Sequence, residues 1–266
     1  MRQYIEQHVM KDSKFHEKQR SPEGAATKEK YVLLYELSKV ISDQDRLRDE
    51  VLTILLAGRD TTGSLLCILF FALTRRSHIW LQFRSEVAYL KGEQPTVRNL
   101  QQMQYIKYVL NEIKRPATRS AFTHFKTHAR AALKDTTLPL GGGPEGRDPV
   151  FVPEGTQVEF HASQLHRRQN LWGRDADEFL QSDGRATQVF GYGRIRFLAF
   201  SGGPRQYIGQ QFGFTVALCT TVHIVQAFET LESRKSEPWT ENLGVVCFPA
   251  NGVKVSMKSD RQIEMM

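Results

Sequence analysis

Residues 200–209 read FSGGPRQYIG, and this stretch decides how the rest of the chain is interpreted. Its paired glycines permit backbone geometry that is closed to other residues, and Arg205 can pair with a carboxylate. Gly209 opens a helix, whose N-terminal dipole favours a negative charge on the residues just before it. The segment therefore predicts a rigid loop that ends at Tyr207, in front of a helix start where an anionic ligand is stabilised.

The same ten residues resemble the loop with which cytochrome P450 monooxygenases hold haem iron, commonly written F-x-G-G-P-R-x-C-x-G. Every fixed position matches except one, because Tyr207 stands where the family has its axial cysteine. The resemblance implies a haem b cofactor, with Tyr207 at the iron-ligand position and Arg205 paired with a haem propionate. It also implies that Phe200, Gly202 and Gly209 belong to the cofactor-binding loop.

Tyrosine at the ligand position has consequences of its own. A tyrosine binds haem iron in catalases, but its unperturbed pKa of about 10, against about 8.5 for cysteine, makes deprotonation harder. The tyrosine ring is also longer than a thiol, so iron would lie displaced from its position in the family. Cys219 lies about three helical turns downstream of Tyr207 and cannot replace it without refolding.

Residues 57–62 read AGRDTT inside a long apolar segment. A small pair, Ala57 and Gly58, lets a flat group approach the backbone, although glycine costs about 1 kcal/mol in a helix interior. Asp60 beside Thr61 pairs an acid with a hydroxyl and could pass protons. On spacing alone, a helix N-terminus capped by Asp60 is an equal alternative. The motif resembles the family's I helix, A-G-x-[DE]-T-T, which implies cofactor contact for the small pair and proton delivery for Asp60 and Thr61.

Residues 112–115 read EIKR. An acid and an arginine three apart on a helix usually form a surface ion pair worth about 0.3–0.5 kcal/mol. In sequence order between the other two motifs, the segment resembles the E-x-x-R of the family's K helix. That resemblance implies a buried, structural salt bridge between Glu112 and Arg115.

Four further segments resemble one branch of the family, the fungal n-alkane and fatty-acid hydroxylases: residues 135–146, 151–156, 166–168 and 171–179. The resemblance implies a membrane-anchored monooxygenase that inserts one oxygen atom from dioxygen into a C–H bond of a small lipophilic substrate. Electrons would come from NADPH through NADPH–cytochrome P450 reductase, at the cytoplasmic face of the endoplasmic reticulum.

Hydrophobic periodicity predicts one helix over residues 47–75, about 40 Å long at 1.5 Å per residue. Its middle is apolar almost all round, which predicts burial. Further helices are predicted over residues 31–40, 79–89, 103–115 and 209–231, a loop over 135–152 and another over 180–196, and strands at 150–152, 156–160 and 245–255. The fold class is mainly α with minor β, and the resemblance implies the C-terminal half of the cytochrome P450 fold. We divide the chain into a polar segment, residues 1–30, and a partial haem domain, residues 31–266.

Composition excludes several other classes. The 36 basic and 29 acidic side chains leave a net charge of +7, but the basic residues are scattered, which argues against nucleic-acid binding. Three cysteines far apart indicate neither a zinc site nor a disulfide. The longest apolar run, Leu65–Leu73, is far shorter than the roughly 20 residues of a membrane span, and the N-terminus does not resemble a signal peptide. These features predict a cytoplasmic or peripheral protein without an anchor.

The resemblance covers residues 31–255 and corresponds to the C-terminal half of a family member. Several hypotheses remain open: an inactive fragment or incomplete gene product, a non-catalytic haem-binding protein with Tyr207 as ligand, an active monooxygenase of which this sequence is one part, or a helical interaction protein without haem.

Overall fold

The computed structural model describes residues 33–114, 127–174, 176, 198–242, 246 and 248–259. It divides into two compact units, residues 1–60 and 61–266. The helices are α1 Leu33–Val40, α2 Gln44–Leu73, α3 Ser77–Val87, α4 Val97–Gln102, α5 Gln104–Lys114, α6 Ala162–Leu165, α7 Gln169–Trp172 and α8 Gln210–Ala227. The strands are β1 Thr127–Ala131, β2 Thr136–Gly142, β3 Asp148–Val152, β4 Gln157–His161, β5 Thr230–Ser233, β6 Glu241–Asn242, β7 Phe248–Pro249 and β8 Val255–Lys258. Helices dominate the described residues, as predicted, and the proposed boundary at residue 30 lies outside them.

The long helix begins with a side-chain cap. The Oδ1 atom of Asp43 accepts hydrogen bonds from the backbone N–H groups of Asp45 at 2.9 Å and Arg46 at 3.3 Å. These are two of the donors that the first turn of a helix leaves without an intrahelical partner. The cap places the start of α2 at Gln44, close to the predicted residue 47.

The prediction that α2 is buried is wrong for much of its length. Ile54, Leu55 and Leu56 are 43%, 46% and 52% exposed, whereas Leu69 and Leu73 are fully buried. Periodicity reports that a helix is apolar all round, but burial depends on which neighbours cover it. Only the C-terminal part of α2 belongs to the hydrophobic core.

By length and composition α2 could also cross a membrane. It has 30 residues, and 11% of its most apolar window is buried. The prediction against a membrane span rested on the longest uninterrupted apolar run, which has nine residues. That criterion was too narrow, since a membrane-spanning helix tolerates interspersed small and polar residues. Core helices of soluble proteins satisfy the same criterion.

The core of the second unit lies between α3, α5, α8 and the end of α2. In α5 the apolar side chains recur every three or four residues and form one buried stripe: Ile106, Val109, Leu110 and Ile113. Trp80 of α3 is buried, and its Nε1–H donates to the carbonyl oxygen of Glu229 at 2.8 Å. The predicted helices at residues 79–89 and 103–115 are confirmed within two residues at each end.

The segment over residues 135–152, predicted as a loop with a strand at 150–152, is an antiparallel hairpin, in which β3 confirms the predicted strand and β2 was not predicted. Strands β2 and β3 pair Thr136 with Val152 and Leu138 with Val150. Positive φ angles occur at Gly143 and Gly146 in the turn, at +71° and +67°, and also at Gly141 near the end of β2, at +123°. Glycine content marked the turn correctly but concealed strand β2 beside it.

The remaining strands form two-stranded pairs. β1 pairs with β4, β5 with β8, and β6 with β7, all antiparallel. Helix α8 ends at Ala227, four residues before the predicted end, because Thr230–Ser233 forms β5. The predicted loop at 180–196 lies outside the described residues.

Candidate functional site

The loop before α8 is closed by a backbone hydrogen bond. The N–H of Tyr207 donates to the carbonyl oxygen of Phe200 at 3.0 Å, around a short 3₁₀ turn over Gly203–Arg205. Gly203 has a φ of +69°, which confirms that this position uses glycine geometry. Gly202 has an ordinary extended backbone, but a Cβ there would lie 3.0 Å from the Cδ2 atom of Leu198. Gly203 is thus favoured by its backbone conformation, whereas a Cβ at position 202 would require the Leu198 side chain to move.

Tyr207 lies between two other rings. It is 52% exposed, and its centroid is 6.4 Å from that of Phe200, with the rings nearly perpendicular. On another side the centroid of His128 lies 6.1 Å away. His128 is buried in β1 and stacks on Phe160 of β4 at 4.8 Å. Sequence reasoning missed His128 because it did not predict β1.

A lysine at the end of α5 contacts the same loop. The Nζ atom of Lys114 lies 4.5 Å from the ring centroid of Phe200 and 4.3 Å from that of Phe214 in α8. Both distances are within the range of cation–π attraction. The sequence analysis did not predict this contact. A lysine in the last turn of a predicted helix was the feature that could have indicated it.

The start of the loop is held by His166, from the segment 166–168. His166 is fully buried, and its Nε2 atom accepts a hydrogen bond from the backbone N–H of Leu198 at 2.9 Å. Trp172 packs edge-on against His166, and its Nε1–H donates to the carbonyl oxygen of Leu165 at 3.0 Å. Two segments that the sequence singled out separately therefore support one loop.

The I-helix-like motif lies inside α2, which continues from Gln44 to Leu73. The alternative of a helix N-terminus capped by Asp60 is therefore wrong. Asp60 instead accepts a hydrogen bond from the Nε–H of Arg59 at 2.7 Å. Ala57 and Thr61 are exposed, and a Cβ on Gly58 would meet no atom within 4 Å.

Thr62, next to the predicted Thr61, approaches α8. A Cβ built on Gly213 would lie 3.4 Å from the Oγ1 atom of Thr62, so these two helices pass close together here. The roles of Asp60 and Thr61 in proton delivery stay predictions, as does cofactor contact at Ala57 and Gly58.

Glu112 is 3% exposed and lies in the last turn of α5. Its predicted partner Arg115 lies outside the described residues, so the structural salt bridge stays a prediction. Burial of the Glu112 carboxylate suits a paired group, because an isolated buried charge is strongly unfavourable.

Among the described residues, the loop before α8 offers oxygen and guanidinium groups to a haem, and it contains no thiol. The half-exposed Tyr207 offers a phenol oxygen, and the exposed Arg205 offers a guanidinium to a carboxylate. The described thiols lie elsewhere, Cys67 in α2 and Cys219 in α8. Burial raises the pKa of the Cys67 thiol, which disfavours its thiolate. Cys247 lies outside the described residues.

Comparison with known proteins gives a consistent result. The family model "Cytochrome P450" matches residues 1–257. The chain is 41% identical over 244 residues to the cytochrome P450 monooxygenase himC of Aspergillus japonicus, a match that covers 91% of this chain and 42% of that protein. It is 38% identical over 224 residues to cytochrome P450 52A6 of Candida tropicalis, covering 80% of this chain and 41% of that protein.

A further relative is the cytochrome P450 monooxygenase fsdH of Fusarium heterosporum, 41% identical over 226 residues. That match covers 85% of this chain and 38% of the relative. The chain thus spans about two fifths of the length of the curated relatives that it matches.

Proposed function

Since the chain belongs to the cytochrome P450 family, we propose that it forms the iron-binding part of a haem site in which Tyr207 takes the place of the family's cysteine. The family accounts for the mainly helical fold with small sheets, and its members are haem-dependent monooxygenases. What is particular to this chain is the group offered to iron.

The position of Tyr207 carries the proposal. Its backbone is fixed by the hydrogen bond to Phe200, its side chain is half exposed, and α8 begins three residues later. The loop thus places Tyr207 just before the N-terminus of α8, the positive end of that helix's dipole. The Tyr207 oxygen would bind the iron, and Arg205 would pair with a carboxylate of the porphyrin.

When bound, haem supplies the redox-active iron at which the family activates dioxygen. In P450s a cysteine thiolate pushes electron density towards the iron. A phenolate is a weaker donor, so we propose that this chain binds haem but supports little or no hydroxylation. In a whole protein of this type, Asp60 and Thr61 would carry protons to the site.

We extend the proposal to substrate and partner for the whole protein. The segments at residues 135–146, 151–156, 166–168 and 171–179 resemble fungal n-alkane and fatty-acid hydroxylases, and the similarity to cytochrome P450 52A6 supports that branch. The substrate class is therefore an aliphatic chain, and the electron donor an NADPH-dependent reductase at the cytoplasmic face of the endoplasmic reticulum.

A hemin titration of the purified chain, followed through the Soret band, tests the proposal. We expect stoichiometric binding with a high-spin ferric spectrum, and loss of that spectrum in Tyr207→Phe. Tyr89→Phe is the matched control, because Tyr89 is also 52% exposed but lies outside the loop. Absence of binding would reject the haem site, and an unchanged spectrum in Tyr207→Phe would reject Tyr207 as the ligand.

A further inference from the structure

We propose that Lys114 is a positioning residue for Tyr207. The ammonium group of Lys114 contacts the rings of Phe200 and Phe214, and through Phe200 it orients Tyr207. The effect on the Tyr207 loop follows from the contacts alone, whereas the consequence for iron binding rests on the function proposed above.

The two rings belong to different parts of the chain. Phe200 lies in the loop, and its carbonyl oxygen accepts the N–H of Tyr207. Phe214 lies in α8 and packs against the hydrophobic core. The Nζ atom of Lys114 is 4.5 Å from the first ring and 4.3 Å from the second, so one ammonium group joins the loop to the helix that follows it.

The ammonium group has a rigid support. Lys114 ends α5, whose preceding turns are fixed in the core by Leu110 and Ile113, both buried. The Phe200 ring that it attracts is in turn nearly perpendicular to the ring of Tyr207, with the two centroids 6.4 Å apart. Through Phe200, Lys114 restricts the orientations that Tyr207 can adopt.

This role differs from that of a general helix-ending lysine. Any lysine in the last turn interacts favourably with the helix dipole. In the variant Lys114→Met, methionine keeps the approximate length of the side chain but removes its charge. Arginine keeps the charge and stacks on aromatic faces. Lys114→Met and Lys114→Arg therefore separate the cation–π contact from packing. Lys107→Met is the matched control, because Lys107 is on the same helix but donates to the carbonyl oxygen of Gln101.

The first measurement needs no haem. The chain is labelled with 3-fluorotyrosine, and the fluorine resonance of Tyr207 is assigned by its absence in Tyr207→Phe. We expect the resonance in Lys114→Met to move towards its value in the urea-unfolded chain, the wild-type position to return in Lys114→Arg, and no change in Lys107→Met. An unchanged resonance in Lys114→Met would overturn the proposal.

The second measurement is the dissociation constant for hemin. Loss of the cation–π contact is expected to raise it about threefold to tenfold in Lys114→Met, with recovery in Lys114→Arg. If the wild-type chain binds no hemin, the proposed function fails, and the fluorine spectra decide the role of Lys114 by themselves.

A folding defect is recognised by circular dichroism. Should Lys114→Met lose helix content, Phe214→Leu replaces it, since this variant keeps the lysine and removes one of the two rings. We expect a smaller shift of the Tyr207 resonance in the same direction. No shift in Phe214→Leu would overturn the proposal.

Discussion

The backbone N–H of Tyr207 lies 3.0 Å from the carbonyl oxygen of Phe200, and the rings of the same two residues meet nearly at right angles. The hydrogen bond closes the loop before α8, and the ring contact orients the side chain at its end. Together they hold Tyr207, the residue that we propose as the iron ligand.

Replacing that group by the family's residue should change the ligand without changing the loop. In Tyr207→Cys we expect the reduced, carbon monoxide-treated haem form to show the red-shifted Soret band of thiolate ligation, because cysteine has the lower unperturbed pKa and the stronger donor. The measurement is the carbon monoxide difference spectrum. Tyr207→Ser, which offers neither thiolate nor phenolate, is the control, and a red-shifted band in that variant or in the wild type would show that another cysteine reaches the iron.

The backbone of Ser201 predicts a difference between two small substitutions. Ser201 has a φ of +62° and is buried, a conformation that costs a non-glycine residue roughly 1–2 kcal/mol. Ser201→Gly should therefore be more stable than Ser201→Ala by about 1 kcal/mol. Both variants lose the hydroxyl group, so urea unfolding of the pair isolates the backbone effect. Equal stability would mean that Ser201 does not adopt this conformation in solution.

The two halves of α2 should respond differently when a leucine side chain is shortened to alanine. Leu69 is fully buried, so Leu69→Ala is expected to lower the free energy of unfolding by about 2–5 kcal/mol. Leu55 is 46% exposed in the same helix, and Leu55→Ala should cost less than about 1 kcal/mol. Thermal or urea unfolding monitored by circular dichroism measures both. A large loss in Leu55→Ala would show that another surface covers it in solution.

Tyr105 should make stability fall at high pH. Burial, and secondly the Glu86 carboxylate, raise the pKa of the Tyr105 phenol in the folded state. The unfolded chain then releases this proton first, so the contribution is complete below about pH 10 and is lost as the pH rises through the folded pKa. Tyr105→Phe should flatten the decline between about pH 9 and pH 11.

Urea unfolding at several pH values measures this decline, with Tyr89→Phe as the exposed control. The backbone N–H groups of Tyr105 and Ile106 donate to the Glu86 carboxylate at 2.8 and 2.9 Å. Tyr105→Phe removes only the phenol hydroxyl, so these two hydrogen bonds remain. A decline of equal slope in Tyr105→Phe and in the wild type would contradict the prediction.

Local patterns in the sequence were sufficient for several elements. The helix predicted over residues 103–115 and the glycine geometry at position 203 depend on residues close together in sequence, and both are found where they were predicted. The ten-residue loop also identified the family, because its residues are constrained together by one turn and one helix start. Strand β2 and its pairing with the predicted strand β3 were missed, since the glycine-rich composition of that segment favoured a loop.

The sequence by itself determined the family, the helical fold class and the replacement of the axial cysteine by Tyr207. Only the tertiary structure decided what surrounds Tyr207: His128 from β1, and Lys114 from α5 acting through Phe200. It likewise decided that Leu69 is buried while Leu55 in the same helix is exposed. The physical reason is that hydrophobic periodicity shows which face of a helix is apolar. Whether that face is buried, and which distant residues contact it, depends on how the helices and strands pack.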